Sequence, residues 1–83
     1  MADKPIGTVM HWFGKVSVAG VELTGDLAVG DRIRVAGHTT DFEQDVVSMQ
    51  VDNQDVTSAG SGDLIGIKLE SRARVGDNLY KVT

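Results

Sequence analysis

One short segment gathers the side chains best suited to contact a partner. Residues 11–15 hold the only tryptophan, one of two phenylalanines, a histidine and a lysine. Aromatic rings displayed beside polar side chains are typical of binding loops. A second polar segment, residues 38–40, has the composition of an exposed turn. We therefore predict that partner binding involves His11, Trp12, Phe13, Lys15, His38, Thr39 and Thr40.

Both segments also have a purely structural interpretation. Trp12 and Phe13 would then close one end of a small barrel. The segment around His38 would serve only to turn the chain. The two interpretations are compatible, because one aromatic ring can point inward while the other faces a partner.

No residue pattern in the sequence is typical of a catalytic or cofactor site. The segment from Gly7 to Lys15 has six residues between its glycines and a valine after the lysine, so it lacks the phosphate-binding P-loop pattern. His11 and His38 lack the short spacing of zinc ligands, and cysteine is absent. Residues 52–55 lack the calcium-loop pattern. We predict a protein that is not an enzyme and binds no cofactor, metal or GTP directly.

Three Gly-Asp pairs, each followed by an alternating apolar stretch, indicate how the chain is organised. Glycine adopts positive φ freely, and aspartate bonds nearby backbone amides, so each pair predicts a structural turn that begins a strand. No segment has a helical period, and about six short strands need their edges covered. The sequence predicts an all-β fold, a small closed six-stranded antiparallel β-barrel. Its structural turns are at Gly30, Asp31, Gly62, Asp63, Gly76 and Asp77.

Three local features complete this plan. The first strand is predicted over residues 6–10, after the single proline. The apolar alternation slips at Ala19-Gly20, which predicts a β-bulge there. Residues 52–62 have no period and are predicted as a loop.

The charge distribution argues against broad nucleic-acid binding. Twelve acids and eight bases give a net charge of −4, whereas phosphate-backbone binding needs clustered lysine and arginine. Arg32 and Arg34 share one strand face, and a hairpin would place them opposite Asp45 and Glu43, where the charges cancel. RNA binding stays open but is not favoured.

Length and composition indicate one domain. We predict a disordered or extended N-terminus over residues 1–5 and a single β-barrel domain over residues 6–83. No stretch approaches the roughly 18 apolar residues of a membrane span. With no cysteine, the chain suits a reducing compartment, so we predict a cytoplasmic protein that does not contact membranes.

Several of these stretches resemble a known family. Residues 7–9, 27–33, 59–69 and 75–77 resemble the second domain of translational GTPases such as elongation factor Tu. Residues 37–44, with Ser48-Met49-Gln50, resemble the small free-standing translation elongation factor-like proteins. The resemblance implies the six-stranded barrel of translation proteins. It does not carry over the pocket for the aminoacyl end of transfer RNA, because Ser48 and Leu64 stand where that pocket has a glutamate and an asparagine.

A similar barrel also occurs at the C-terminus of collagenase-like peptidase-family proteins. Our leading hypothesis is a non-catalytic, translation-related binding module that docks on a protein or ribonucleoprotein partner, such as the translation machinery. One alternative is a binder of transfer RNA ends that stacks a base on Trp12 or Phe13. Another is an accessory subunit of a collagenase-like peptidase-family or RNA-modifying enzyme.

Overall fold

The regular secondary structure of the protein is entirely β. The structure is a computed structural model that describes residues 4–82, and no helix occurs among them. This confirms the predicted all-β class. The strands are β1 (Pro5–Phe13), β2 (Val18–Leu23), β3 (Leu27–Ala28), β4 (Arg32–Ala36), β5 (Asp41–Asp45), β6 (Met49–Val51), β7 (Gln54–Val56), β8 (Ser58–Ala59), β9 (Leu64–Lys68) and β10 (Asn78–Val82).

Eight of these strands form one curled antiparallel sheet. Their order is β5-β4-β10-β1-β2-β9-β6-β7, and β3 pairs separately with β8. Within the described residues the large sheet stays open, because its end strands β5 and β7 do not pair with each other. The predicted closed six-stranded barrel is therefore wrong. Several strands have only two or three residues, which is too short for an alternating pattern to show in the sequence.

The side chain of Gln44 connects the β5 end of the sheet to the chain that follows β9. Its Nε2 donates to the carbonyl oxygen of Lys68 at 3.1 Å, and its Oε1 accepts from the amide of Glu70 at 2.7 Å. Gln44 is only 2% exposed. A buried side-chain amide thus holds β5 beside the end of β9, although these two strands share no backbone ladder.

The hydrophobic core lies inside the curl. Because side chains alternate across a strand, every second residue of the long strands points inward. One inward row crosses four strands and contains Trp12, Ala19, Ile67 and Met49. The largest side chains that are almost fully buried are Leu23, Leu27, Ile33, Met49, Ile67, Leu79, Val9, Val21, Val35 and Val46. Burial of each such side chain stabilises the fold by about 1.5 to 3 kcal/mol before entropy is counted.

The three Gly-Asp pairs have the same turn geometry. They occupy the third and fourth positions of turns 28–31, 60–63 and 74–77. The third-position glycines, Gly30, Gly62 and Gly76, have φ of 99°, 91° and 96°. In each turn the aspartate amide donates to the carbonyl three residues earlier, and its carboxylate accepts from that residue's amide at 2.8 to 2.9 Å. Positive φ at the third position is the pattern of a type II turn, which requires glycine there.

The first strand and its bulge differ from the prediction. Strand β1 continues to Phe13, so His11, Trp12 and Phe13 belong to a strand and not to a loop. The register between β1 and β2 shifts between Val9 and His11, so the extra residue is Met10 of β1 and not Ala19-Gly20 of β2. Within β2 the alternation is regular, with Ala19, Val21 and Leu23 all buried. The apparent slip in the sequence arises because Val18 faces outward, opposite Phe13.

Residues 52–62 are also more regular than predicted. Asp52 and Asn53 both have positive φ, at 52° and 63°, and they connect β6 to β7 as a two-residue hairpin loop. Aspartate and asparagine are the non-glycine residues that best tolerate this conformation. Strands β7 and β8 then occupy five of the eleven residues of the predicted loop.

Two sequence predictions touch the chain ends. The predicted N-terminal segment, residues 1–5, lies mostly outside the described residues, although Pro5 already begins β1. The predicted single domain over residues 6–83 stays a prediction, and its last residue also lies outside the described residues. None of the described residues forms a helix long and apolar enough to cross a membrane.

Candidate functional site

The outer face of the sheet carries an apolar depression across β1, β2, β9 and β6, with a volume of about 460 Å³. We call it the trough. Its floor and two walls are formed by three pairs of residues. These pairs are Gly20 and Gly66 on the floor, Phe13 and Val18 on one wall, and Met10 and Leu64 on the other.

The floor of the trough is a pair of glycines facing each other on neighbouring strands. Gly20 of β2 is paired with Gly66 of β9, and the same outward row continues to His11 on one side and Gln50 on the other. A Cβ atom at Gly66 would lie 3.4 Å from Val18 Cγ1, with no backbone in contact. The row therefore lacks side chains at two successive positions between His11 and Gln50. The opening above them is bordered closely by Phe13, whose Cε2 would lie 3.7 Å from a Cβ atom at Gly20.

The walls expose large apolar side chains. Phe13 is 52% exposed and Leu64 is 64% exposed. Neighbouring residues of a regular strand face opposite sides. Met10 and His11 nevertheless both face outward, because the bulge in β1 interrupts the alternation. The bulge therefore places one more apolar side chain on the trough than a regular strand would.

Charged side chains flank the trough on both sides. Lys68 lies opposite Val18 in the row of the first wall, and Lys15 follows Phe13 in the connecting turn. Glu22 lies opposite Leu64 in the row of the second wall. Asp52 borders the end near Gln50. Within residues 4–82 none of these four charged groups forms an ion pair, so the rim is basic beside one wall and acidic beside the other.

The structure separates the two aromatic residues singled out by sequence. Trp12 points inward and packs, partly buried, against the core, whereas Phe13 faces outward. The His11 ring stands 6.0 Å from the Phe13 ring, centroid to centroid, and both border the trough. Lys15 is exposed in the turn beyond them.

The second predicted segment lies apart from the trough. His38 and Thr39 are exposed, and Thr40 is buried, in the hairpin that joins β4 to β5. The Gly37 amide donates to the Thr40 carbonyl at 2.7 Å, which closes this turn. A Cβ atom at Gly37 would overlap the Asp77 carboxylate, so the hairpin packs closely against that residue. The structure does not bring the two segments into one site.

Sequence reasoning did not assign Met10, Gly20, Leu64 or Gly66 to a binding site. A usable signal was present, because Gly20 and Gly66 each interrupt an apolar strand where no turn is needed. Glycine inside a strand often marks a close approach by another molecule or backbone. What the sequence could not supply was the register that places the two glycines side by side.

A different outer surface lies on β4 and β5, where arginines alternate with apolar residues. The predicted register is confirmed, with Arg32 opposite Asp45 and Arg34 opposite Glu43. Arg32 donates to Asp45 at 3.1 Å and to Glu43 at 3.4 Å, while Arg34 makes two hydrogen bonds to Asp41 at 2.8 and 2.9 Å. We call this surface the charge ladder.

The ion pairs of the charge ladder shift the titration of their members. Hydrogen bonds from Arg34 stabilise the charged form of Asp41 and hold the pKa of that carboxyl below its ordinary value. Hydrogen bonds to Asp45, and then to Glu43, raise the pKa of the Arg32 guanidinium. The arginines of the ladder are therefore paired with carboxylates of the neighbouring strand.

Within residues 4–82, no group of three or more histidine, aspartate or glutamate side chains is placed to hold a metal ion. His11 lies on β1 and His38 in the β4–β5 hairpin, so the two histidines belong to different surfaces. The trough therefore offers apolar contact beside a charged rim.

Comparison with known proteins points to peptidase-family proteins. No protein-family model matches the chain. An uncharacterized protease of Methanocaldococcus jannaschii is 45% identical over 76 residues, which are 90% of this chain and 19% of that protease. The chain thus spans about a fifth of the relative it matches.

Two crystal structures have the same fold as this chain. Both are of the C-terminal domain of a Geobacillus thermoleovorans protein named as a U32 peptidase. One gives a TM-score of 0.88 at 15% identity and covers 94% of this chain and 99% of that domain. The other gives 0.89 at 14% identity and covers 98% and 93%.

These matches overturn the resemblance to elongation factor Tu and to the elongation factor-like proteins. The relative at 45% identity is a protease, and the similar folds come from a peptidase C-terminal domain. The assignment as a translation protein is therefore wrong. The Gly-Asp turns and short alternating strands misled it, because they are requirements of a small curled sheet and are not specific to one family.

Proposed function

We propose that this chain is a non-catalytic accessory module that binds a peptidase-family protein. The observation that supports this is the unequal coverage of the sequence match, 90% of this chain against 19% of the M. jannaschii protease. In that protease the similar segment is covalently joined to a much longer remainder. A module of this type acts beside that remainder, either in the same chain or as a separate subunit.

The side chains of the module suit binding better than catalysis. The trough exposes Phe13, Leu64 and Met10, which are the kind of apolar side chains that form the centre of protein interfaces. A contiguous exposed apolar surface on a soluble protein commonly marks an interaction site. Hydrolytic chemistry is then supplied by the partner.

The distribution of basic residues supports a protein partner over RNA. Arg32, Arg34 and Lys81 are each paired with a carboxylate, the last to Asp31 at 3.3 Å. Paired bases contribute little to phosphate binding, which depends on the net positive field of a surface. With a net charge of −4, the module gains little from a phosphate backbone.

The test uses the M. jannaschii protease without the segment that matches this chain, which we call the shortened protease. Circular dichroism first establishes that it is folded. We expect isothermal titration calorimetry to give a 1:1 complex between the shortened protease and this chain. The intact protease is the matched control, and it should bind at least tenfold more weakly because its own segment occupies the site.

A second measurement covers the case in which the shortened protease does not fold. This chain replaces the matching segment in the full-length protease, and differential scanning calorimetry follows unfolding. A docked module should unfold together with the rest of the protein or at a higher temperature than it does alone. Absence of binding by the folded shortened protease, or a module that unfolds in the chimera as it does alone, would contradict the proposal.

A further inference from the structure

We propose that the trough is the docking surface and that its occupant is an amphipathic helix of the peptidase-family partner, lying across the strands. This inference rests on the proposed function. It adds the surface, the type of element that fills it and the charge pattern of that element. The argument uses the width of the trough, its floor and its rim.

The trough has the width of one row of helix side chains. Its walls stand in the outward rows of Val18 and of Leu64, which lies opposite Glu22. These rows are four residues apart along β2, or about 13 Å between backbones. The wall side chains narrow this opening, so a helix, which is about 10 to 12 Å across, lies on top of the walls and inserts the side chains of one face between them. The trough crosses four neighbouring strands, or about 14 Å, which corresponds to about ten helical residues.

The floor of the trough excludes an extended peptide as the occupant. The floor is the face of the sheet, and the strands β1, β2 and β9 beneath it are already paired with each other. A peptide strand docks by adding to a sheet edge, where backbone groups are free. Here it would have no backbone partners, whereas a helix satisfies its backbone hydrogen bonds internally.

The gap above Gly20 and Gly66 accepts one side chain of the helix. A leucine or methionine entering there would contact the glycine backbone below and the walls formed by Phe13 and Leu64 on either side. Residues three or four positions away on the same helix face would lie toward His11 and toward Gln50. The helix therefore needs an apolar face at positions i, i+3 or i+4, and i+7.

The rim determines the charges that flank this apolar face. Lys68 and Lys15 border the side of Phe13, and Glu22 borders the side of Leu64. Unlike the arginines of the charge ladder, these groups form no ion pair within the described part of the chain. The complementary helix carries aspartate or glutamate toward the lysines and lysine or arginine toward Glu22.

Filling the floor tests the location. Gly66→Val places a β-branched side chain in a strand where the added Cβ meets no backbone, so the fold should be retained. We expect its affinity for the shortened protease to fall at least tenfold with no loss in melting temperature. Leu64→Ser is a second variant that removes a wall. Val47→Ser is the matched control, because Val47 is 67% exposed outside the trough, and its affinity should equal that of the wild type.

Charge reversal tests the rim. Lys68→Glu and Glu22→Lys should each weaken binding several-fold, and both losses should shrink at high salt. Hydrogen exchange with mass spectrometry should show that the chain protects a helical segment of the shortened protease with flanking charges of both signs. Protection of a strand, or wild-type affinity of Gly66→Val and Leu64→Ser, would overturn the inference and leave the proposed function intact.

A second copy of this chain is the competing occupant. Sedimentation of the wild-type chain alone should show a monomer at the concentrations used for binding. A dimer that Gly66→Val dissociates would overturn the helix proposal. Absence of binding by the wild-type chain contradicts the proposed function itself, so the two failures are distinguishable.

Discussion

On the outer face of the sheet, β4 and β5 carry alternating arginines and carboxylates, whereas β2 and β9 carry Gly20 and Gly66 side by side. Both regions face solvent and both are regular antiparallel pairs. In the charge ladder, each arginine has a carboxylate within hydrogen-bond distance. In the trough, the apolar walls are left open and the charged rim is unpaired within residues 4–82.

The comparison separates two uses of an exposed sheet surface. The arginines and carboxylates of the ladder neutralise each other. They contribute to strand register and solubility, and little net electrostatic field remains to attract a partner. The trough leaves apolar area exposed to water, which costs free energy until another surface covers it. The first surface is complete in the isolated module, and we propose that a bound partner completes the second.

Gln44 connects these two regions, and its loss should have the largest effect on stability. Gln44→Ala removes the hydrogen bonds to the Lys68 carbonyl and the Glu70 amide, which are partly buried, and leaves a cavity where the buried Gln44 side chain stood. We expect a loss of about 2 kcal/mol in the free energy of unfolding, measured by urea denaturation. Gln50→Ala is the control, since exposed Gln50 bonds only the Asp55 side chain in the described structure. An equal loss in the two variants would contradict the role assigned to Gln44.

Gly62 and Gly66 are glycines for two different reasons. Gly62 is needed for the backbone conformation of a turn, whereas Gly66 leaves the floor of the trough open. Gly62 has φ of 91° and open space around it, so Gly62→Ala should lower the free energy of unfolding by about 1 to 2 kcal/mol through backbone strain alone. Gly66 has no such constraint, and Gly66→Ala should leave stability unchanged or raise it by up to about 1 kcal/mol. Thermal and urea unfolding of both variants check this. If Gly66→Ala lowered the free energy of unfolding more than Gly62→Ala, packing of the sheet itself would require a glycine at position 66. That result would contradict an opening left for a partner.

The smallest expected effect concerns the charge ladder. Because the pKa of Asp41 is lowered in the folded state, its contribution to stability is present above the unfolded pKa and is lost as pH falls through the folded pKa. The melting temperature of the wild type should exceed that of Asp41→Asn by a small margin at about pH 6. That margin should vanish by about pH 2 and shrink in 1 M salt. A margin that grows on acidification would contradict the assigned ion pair.

The sequence predicted features that depend only on the types and spacing of neighbouring residues. Arg32 and Arg34 predicted their cross-strand partners, because alternation and opposite charge specify a register locally. The sheet closure and the trough were not predictable in the same way. Both depend on which distant strands become neighbours, and Gly20 and Gly66 are 46 positions apart in the chain. The bulge at Met10 was assigned to the wrong strand because Val18 is an outward-facing apolar residue, which makes the regular alternation of β2 look shifted in the sequence.

The three Gly-Asp turns also have a consequence for how the chain folds. Each turn closes a four-residue ring, yet its glycine amide donates to a carbonyl distant in sequence, Gly30 to Val46, Gly62 to Leu23 and Gly76 to Val9, all at 2.8 Å. Short rings form with little loss of chain entropy, so the turns are available before long-range pairs assemble. Each formed turn then presents an oriented donor to the strand it will meet. Folding of this non-local sheet is therefore guided from three local points, and Gly-Asp substitutions should slow folding as well as weaken the native state.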